Sequence, residues 1–199
     1  ASLFLTVGVV DAATGTRDLR RLDGLGRALP ITAVVGALAT ASMIGLPPFA
    51  GYVAKEAALE ALWHDGGTGA GVAVLVAMVV GSALTVAYGL RFWFGAFGPA
   101  ARGVVPLPEP DDGVWPPLQV SRPSLLLVGP AATLALLGLA AALVPHFGED
   151  LLGPHAAAYP GDPGHLTLWG GVGPALLLTL VVLTAGGLLF WQRARVEGW

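Results

Sequence analysis

Long apolar segments that hold almost no charged side chains dominate this sequence. Hydrophobic residues make up 55% of the chain and charged residues only 12%, which is about half the charged share of a typical soluble domain. A backbone placed in lipid must satisfy its own polar groups, and an α-helix does this within one segment. The sequence therefore predicts an all-α fold, a polytopic transmembrane helix bundle with one proline-interrupted helix.

One short helix and five membrane helices are predicted. Residues 2–10 are apolar from the start, and neither an initiator Met nor a basic flank precedes them. They are too few to cross a bilayer, which takes ~20 residues. We therefore expect the chain to begin inside a helix of a longer protein. The membrane helices are predicted over residues 31–46, 48–63, 71–95, 124–144 and 169–191.

Three polar connections join these helices. In residues 14–29, a leucine every third position (Leu19, Leu22 and Leu25) suits a short helix at the membrane interface. Residues 98–123 are rich in proline, which blocks regular helix, and they include Glu109, Asp111 and Asp112. Residues 145–168 are also predicted to be a loop, which holds His146, His155 and His165.

The chain is predicted to divide near residue 98. Residues 1–98 hold the truncated helix, the interfacial segment and three membrane helices. Residues 99–199 hold two further membrane helices and the Pro-rich loops.

A helix break is predicted where Pro47 and Pro48 stand between Gly45 and Gly51. The prolines cannot donate to the carbonyls one turn earlier, and the glycines loosen the helix further. One interpretation is an interrupted helix beside a hydrated cavity, as in many transporters. The other is a tight surface turn between two short helices. The sequence favours neither.

Lys55 is the only lysine of the chain and lies in an apolar stretch just beyond this break. An ionisable side chain at membrane depth costs about 3 kcal/mol on insertion scales and marks ion or proton pathways. A lysine can give up its proton there, whereas an arginine cannot. We therefore predict proton transfer at Lys55. In the alternative interpretation, the side chain only bends towards the interface.

Glu56, Glu60 and His64 follow at four-residue spacing and so share one face of the same helix. Lys55 points roughly 100° away from Glu56 and is not on this stripe. Glu56 is predicted to take part in proton transfer with Lys55, and Glu60 to lie on the proton path. The alternative is an amphipathic helix end that emerges into water beside an interfacial Trp63.

Neighbouring helices carry small and hydroxylated faces. These residues suit close helix packing, or a lining for ordered waters that connect to Lys55. Under the second interpretation the proton path includes Thr40, Ser82, Thr85 and Tyr88.

Several classes of function are excluded or disfavoured. Cysteine is absent, which excludes disulfides, thiolate metal sites and thiol catalysis. The net charge of -3 provides no basic surface for nucleic acid. The histidines lack metal-ligand spacing, and no nucleophile-elbow or phosphate-loop motif occurs. We therefore expect no metal, no organic cofactor and no enzyme activity.

The segments around Lys55 are similar to those of a transporter family. Gly45-Leu46-Pro47-Pro48-Phe49 and Gly51-Tyr52-Val53-Ala54-Lys55-Glu56 resemble the large A-type subunit of Mrp multisubunit cation/proton antiporters. The likeness extends over residues 3–11, 14–19, 24–25, 29–30, 41–43 and 84–92, and a weaker likeness occurs at residues 165–170.

The resemblance implies a larger antiporter-like fold with inverted repeats, of which this chain is a fragment and residues 1–98 belong to the core. It implies that Lys55 is the lysine of the second, broken-helix half-channel. Proton-pumping subunits of respiratory complex I are related, with Ser-Lys-Asp or Ser-Lys-Glu where this chain has Ala54-Lys55-Glu56. Ala12 stands where family members often have histidine, so any role of that histidine is absent here.

The predicted function is therefore that of a multi-pass cell-membrane subunit that exchanges H+ for Na+ or another monovalent cation. Its partners would be other hydrophobic subunits of an antiporter complex and the lipid bilayer. One alternative is a proton-pumping subunit of a complex I-like NADH-quinone oxidoreductase, which would make the chain part of a translocase. The other is a membrane scaffold that transports nothing.

Overall fold

The computed structural model describes residues 1–19, 21–22, 24–64, 69–98, 119–158 and 166–192. Within these ranges the regular structure is entirely helical, which confirms the predicted all-α class. Glu109, Asp111, Asp112 and His165 lie outside the described residues. The helices are α1 (Ser2–Thr14), α2 (Leu25–Ala28), α3 (Pro30–Ile44), α4 (Ala50–His64), α5 (Gly69–Phe97), α6 (Leu125–Leu143), α7 (Pro145–Ala156) and α8 (Pro174–Trp191).

Three of the described helices are long and apolar enough to cross a bilayer, namely α5, α6 and α8. The helices α1 and α3 are apolar but shorter. Since α3 and α4 have 15 residues each, each is about 22 Å long, against ~30 Å for the hydrocarbon core. The chain is an integral membrane protein with several apolar helices.

The interfacial helix predicted after α1 is not formed in the described part of residues 14–29. The helix α1 continues to Thr14 and ends at Gly15, whose left-handed φ of 68° lets its N–H donate to the Asp11 carbonyl. The only helix in the described part of the connection is the single turn α2. Leu22 and Leu25 are buried among Val10, Ala33, Ala96 and Phe97, with Leu19 packed against them. The leucine spacing therefore reflects burial in protein rather than contact with a membrane surface.

The predicted loop over residues 145–168 is wrong in its first half, which forms α7. Pro145 stands at the start of that helix, where the missing N–H removes no hydrogen bond. The Glu149 side chain of α7 accepts the Leu166 backbone N–H and pairs with His146. The last helix begins at Pro174 rather than residue 169, after Gly171 adopts a φ of 85°.

The described helices form two compact units. The first comprises Ala1–Thr40, Tyr88–Ala135 and Leu189–Trp199. One of its apolar clusters joins Val9 and Val35 to Val128, Ala131 and Ala135. The Trp93 indole N–H donates to the Ala33 carbonyl at 3.1 Å. Aliphatic packing and a few polar anchors therefore hold this unit together.

The second unit comprises Ala41–Ala87 and Leu136–Leu188. Tyr52, Val53 and Ala142 form its buried centre. At Gly186 of α8 a side chain would collide with Val86 and the Ala83 carbonyl of α5, so glycine permits the close helix approach seen in membranes. This unit contains the predicted break and both Lys55 and Glu56. The division of the sequence near residue 98 stays a prediction.

Candidate functional site

The predicted helix break is present between α3, which ends at Ile44, and α4, which begins at Ala50. Gly45 turns the chain with a φ of 83°, a left-handed conformation that glycine adopts without strain. The Gly45 N–H donates to the Ser42 carbonyl at 3.2 Å, and the Leu46 N–H donates to the Ala41 carbonyl at 3.0 Å. These bonds close the last turn of α3, and the peptide bond between Pro47 and Pro48 is cis.

Lys55 reaches back across this break. Its Nζ donates to the Ile44 carbonyl oxygen at 3.1 Å. In a continuous helix that carbonyl would accept the N–H four residues later, but Pro48 has no N–H to donate. The amine therefore binds at the acceptor that the interruption leaves open.

Gly45 also makes room for the lysine. A Cβ atom at that position would lie 2.9 Å from Lys55 Cδ and 3.6 Å from Nζ. The half-buried aliphatic stem of Lys55 thus runs over the glycine, and its amine stays at the break.

Gly51 brings the two halves of the broken helix together. A Cβ atom on Gly51 would overlap the carbonyl group of Ser42, so the first turn of α4 touches the last turn of α3 through backbone. The structure thereby assembles all four predicted break residues, Gly45, Pro47, Pro48 and Gly51, at one point next to Lys55.

Glu56 faces a different neighbour. Its side chain is 6% exposed, and its Oε2 accepts a 2.9 Å hydrogen bond from the Thr179 hydroxyl of α8. Thr179 is itself 7% exposed. The sequence did not predict this partner. Thr179 is, however, the one hydroxyl-bearing residue within the apolar residues 174–183, and a lone hydroxyl in such a segment could have indicated a buried polar contact.

A small cleft begins at Glu56. Its volume is about 30 Å³, room for about one or two water molecules. Glu60 and His64, one and two turns further along α4, lie on the same wall and are exposed. The opposite wall consists of residues just before α8 and in its first turn, namely Gly170, Gly171, Gly173, Pro174 and Ala175. The predicted stripe of Glu56, Glu60 and His64 therefore leads from a buried carboxyl group towards an open mouth.

The hydroxyl-bearing residues predicted for the proton path differ among themselves. Thr40 and Ser82 are buried, and the Thr40 hydroxyl has no hydrogen-bond partner among the described residues. Thr85 donates to the Gly81 carbonyl of its own helix at 2.8 Å, and Tyr88 is 52% exposed. A water path from these residues to Lys55 stays a prediction.

Comparisons with known proteins show which transporters the chain is similar to. Residues 1–85 match the model of the family described as NADH:quinone oxidoreductase/Mrp antiporter, transmembrane. The whole chain superposes on a chain of the Mrp complex from Dietzia sp. with a TM-score of 0.75 and 33% sequence identity. Over its first 85 residues the chain is similar to the NADH:quinone oxidoreductase/Mrp antiporter family. This similarity confirms the resemblance to the A-type Mrp subunit.

Curated relatives lie on the antiporter side of the family. The A1-type Na(+)/H(+) antiporter subunit of Staphylococcus haemolyticus is 29% identical over 96% of this chain. The A-type Na(+)/H(+) antiporter subunit of Alkalihalophilus pseudofirmus is 39% identical over 48% of it. The probable A/B-type K(+)/H(+) antiporter subunit of Rhizobium meliloti is 34% identical over 98% of it.

The chain spans less than a quarter of the length of each of these relatives. The alignments span 24%, 13% and 19% of the three curated relatives. The superposition covers 20% of the Mrp chain.

Proposed function

We propose that this chain is part of a subunit of a cation/proton antiporter and that Lys55 carries the exchanged proton. The observation that carries this proposal is the hydrogen bond from Lys55 Nζ to the Ile44 carbonyl at the broken helix. The neighbouring Pro-Pro sequence supplies the physical reason, because it leaves that carbonyl without its helical donor.

The bond supports reversible protonation for an electrostatic reason. A carbonyl oxygen accepts from a protonated amine and from a neutral one, but binds the charged form more strongly. The amine thus keeps a hydrogen-bond partner when it loses its proton. A lysine on a flexible stem can exchange protons in this way, whereas a guanidinium group remains charged.

Glu56 supplies a second proton-binding group next in sequence. Its carboxyl group adjusts the charge state of Lys55 or passes protons into the cleft that Glu60 lines. Thr40, Ser82, Thr85 and Tyr88 would line water that feeds the lysine. We assign these roles as part of the proposal, supported by the burial of Glu56 and its position on the cleft wall.

The names of the relatives support the choice of ions in this proposal. Antiporter subunits for Na+ and for K+ both occur among them, and the solved relative belongs to an Mrp complex. We propose H+ exchange against Na+ within a complex of hydrophobic subunits, in a transporter rather than an enzyme and without an organic cofactor. These relatives favour antiport over quinone-coupled proton pumping.

The complete complex that contains this chain, reconstituted in lipid vesicles, is expected to convert an imposed pH gradient into sodium movement. The measurement pairs a pH-sensitive dye inside the vesicles with radioactive sodium flux. Empty vesicles provide the background, and potassium in place of sodium tests the choice of cation. Sodium flux that ignores the pH gradient would reject the exchange function, and proton movement that requires quinone reduction would favour the complex I-like alternative.

A further inference from the structure

The carboxyl group of Glu56 is held by a hydroxyl from a helix far away in the sequence. Thr179 Oγ1 donates to Glu56 Oε2 at 2.9 Å, and both side chains are more than nine-tenths buried. Burial of a carboxyl group costs free energy unless its oxygens accept hydrogen bonds. The residues on either side of Thr179 are leucine, so no other side chain of that helix turn supplies this bond.

Thr179 fixes the direction in which Glu56 points. Successive residues of a helix are turned by roughly 100°, so Lys55 and Glu56 leave α4 on different sides. Lys55 reaches the broken end of α3. Glu56 is drawn towards α8 and to the inner wall of the cleft with Glu60 and His64.

The cleft offers Glu56 a route to water. Its wall at the start of α8 is largely glycine, at positions 170, 171 and 173, which project no side chains over the cleft. A carboxyl group held at the inner end can exchange protons with a water molecule in the cleft, and Glu60 lies one turn nearer the mouth.

We propose that Thr179 is a positioning residue that holds the Glu56 carboxyl group at the inner wall of the cleft lined by Glu60 and His64, where it exchanges protons with water. This inference rests on the proposed antiport function. It adds that protons exchange with water on the Glu56 side of α4. It also adds that this exchange depends on Thr179 of α8.

The chain offers a matched control on the same helix. Thr184 is exposed, and its hydroxyl donates to the Leu180 and Val181 carbonyls of its own helix at 2.7 and 3.1 Å. Thr179→Val and Thr184→Val therefore make the same chemical change on α8, but only the first removes a hydrogen bond to Glu56. Thr179→Ser restores the hydroxyl.

The experiment measures sodium-driven proton movement by the complete complex in vesicles, with rates divided by the amount of assembled complex. Thr179→Val is expected to lower the rate about tenfold, the effect of losing one hydrogen bond to a charged group. Thr179→Ser and Thr184→Val are expected to keep rates near that of the unaltered complex. In infrared difference spectra, the carboxyl band that Glu56→Gln removes should shift in Thr179→Val and stay in place in Thr184→Val.

Each other outcome overturns the inference. It fails if Thr179→Val exchanges at the unaltered rate, if Thr184→Val slows exchange equally, or if the Glu56 band does not move. Should the valine variant not assemble, Thr179→Ala removes the same hydroxyl, and full exchange by that variant overturns the inference. Lys55→Ala keeps the two proposals apart: if it is inactive while Thr179→Val is active, only the positioning role is lost. If Lys55→Ala is active, the proposed role of Lys55 in antiport fails.

Discussion

Exchange of Na+ for H+ is expected to fall by about 100-fold or more when Lys55 is replaced by alanine, because the group that accepts and releases the proton is removed. The alanine also leaves the Ile44 carbonyl without the amine that reaches it at 3.1 Å. The measurement is the initial rate of sodium-driven proton movement in vesicles, divided by the amount of assembled complex.

Lys55→Arg is expected to be as inactive as Lys55→Ala. Arginine keeps the positive charge and can still donate to the Ile44 carbonyl, but it does not release its proton. The pair of variants thus separates a need for charge from a need for exchangeable charge. Arg17→Gln is the control, because it removes a positive charge from an exposed pair with Asp11, and such pairs contribute little to stability.

Two results would contradict the role of Lys55. Exchange by Lys55→Arg at the unaltered rate would mean that a fixed positive charge is sufficient. Lys55→Leu with full exchange and raised thermal stability would support the scaffold interpretation, in which the lysine only extends to the membrane interface.

Gly51→Ala is expected to prevent the two halves of the broken helix from meeting. The added Cβ atom would overlap the carbonyl group of Ser42. Backbone cannot move aside as a flexible side chain can, so we expect a loss of stability of about 3 kcal/mol, the upper end of overpacking costs. Since Lys55 reaches the Ile44 carbonyl across the same junction, exchange should fall with it.

The measurement for Gly51→Ala is the yield and melting temperature of the purified complex, followed by the exchange rate of the fraction that assembles. Gly81→Ala is the matched control, because a Cβ atom at Gly81 of α5 meets nothing within 4 Å. It is expected to leave stability unchanged or slightly improved. Equal behaviour of the two variants would show that α3 and α4 do not touch at Gly51.

The helix break was predicted from sequence because its cause is local. Two adjacent prolines remove backbone donors wherever they stand, so Pro47 and Pro48 had to interrupt a helix. The four-residue spacing of Glu56, Glu60 and His64 placed them on one face for the same reason. The two interpretations of the break stayed open, because neighbouring residues alone do not show what an open carbonyl binds.

Two predictions were wrong because proline and leucine each occur in more than one structural setting. The proline content predicts a loop at Pro145, yet this residue begins α7, since the first turn of a helix needs no donor from it. The leucines at 22 and 25 suited an interfacial helix, yet they are buried against Ala96 and Phe97 from α5. Apolar spacing shows that a residue is covered, but not whether protein or lipid covers it.

Hydropathy, missing backbone donors and helical spacing act within a few residues. They are therefore sufficient to predict a membrane helix bundle with a broken helix and a lysine beside the break. The folded structure was needed to show that the Lys55 amine meets the Ile44 carbonyl and that the Glu56 carboxyl group meets Thr179, which is 123 positions away. Such contacts depend on how helices pack in three dimensions, and packing brings together side chains whose separation along the chain carries no signal.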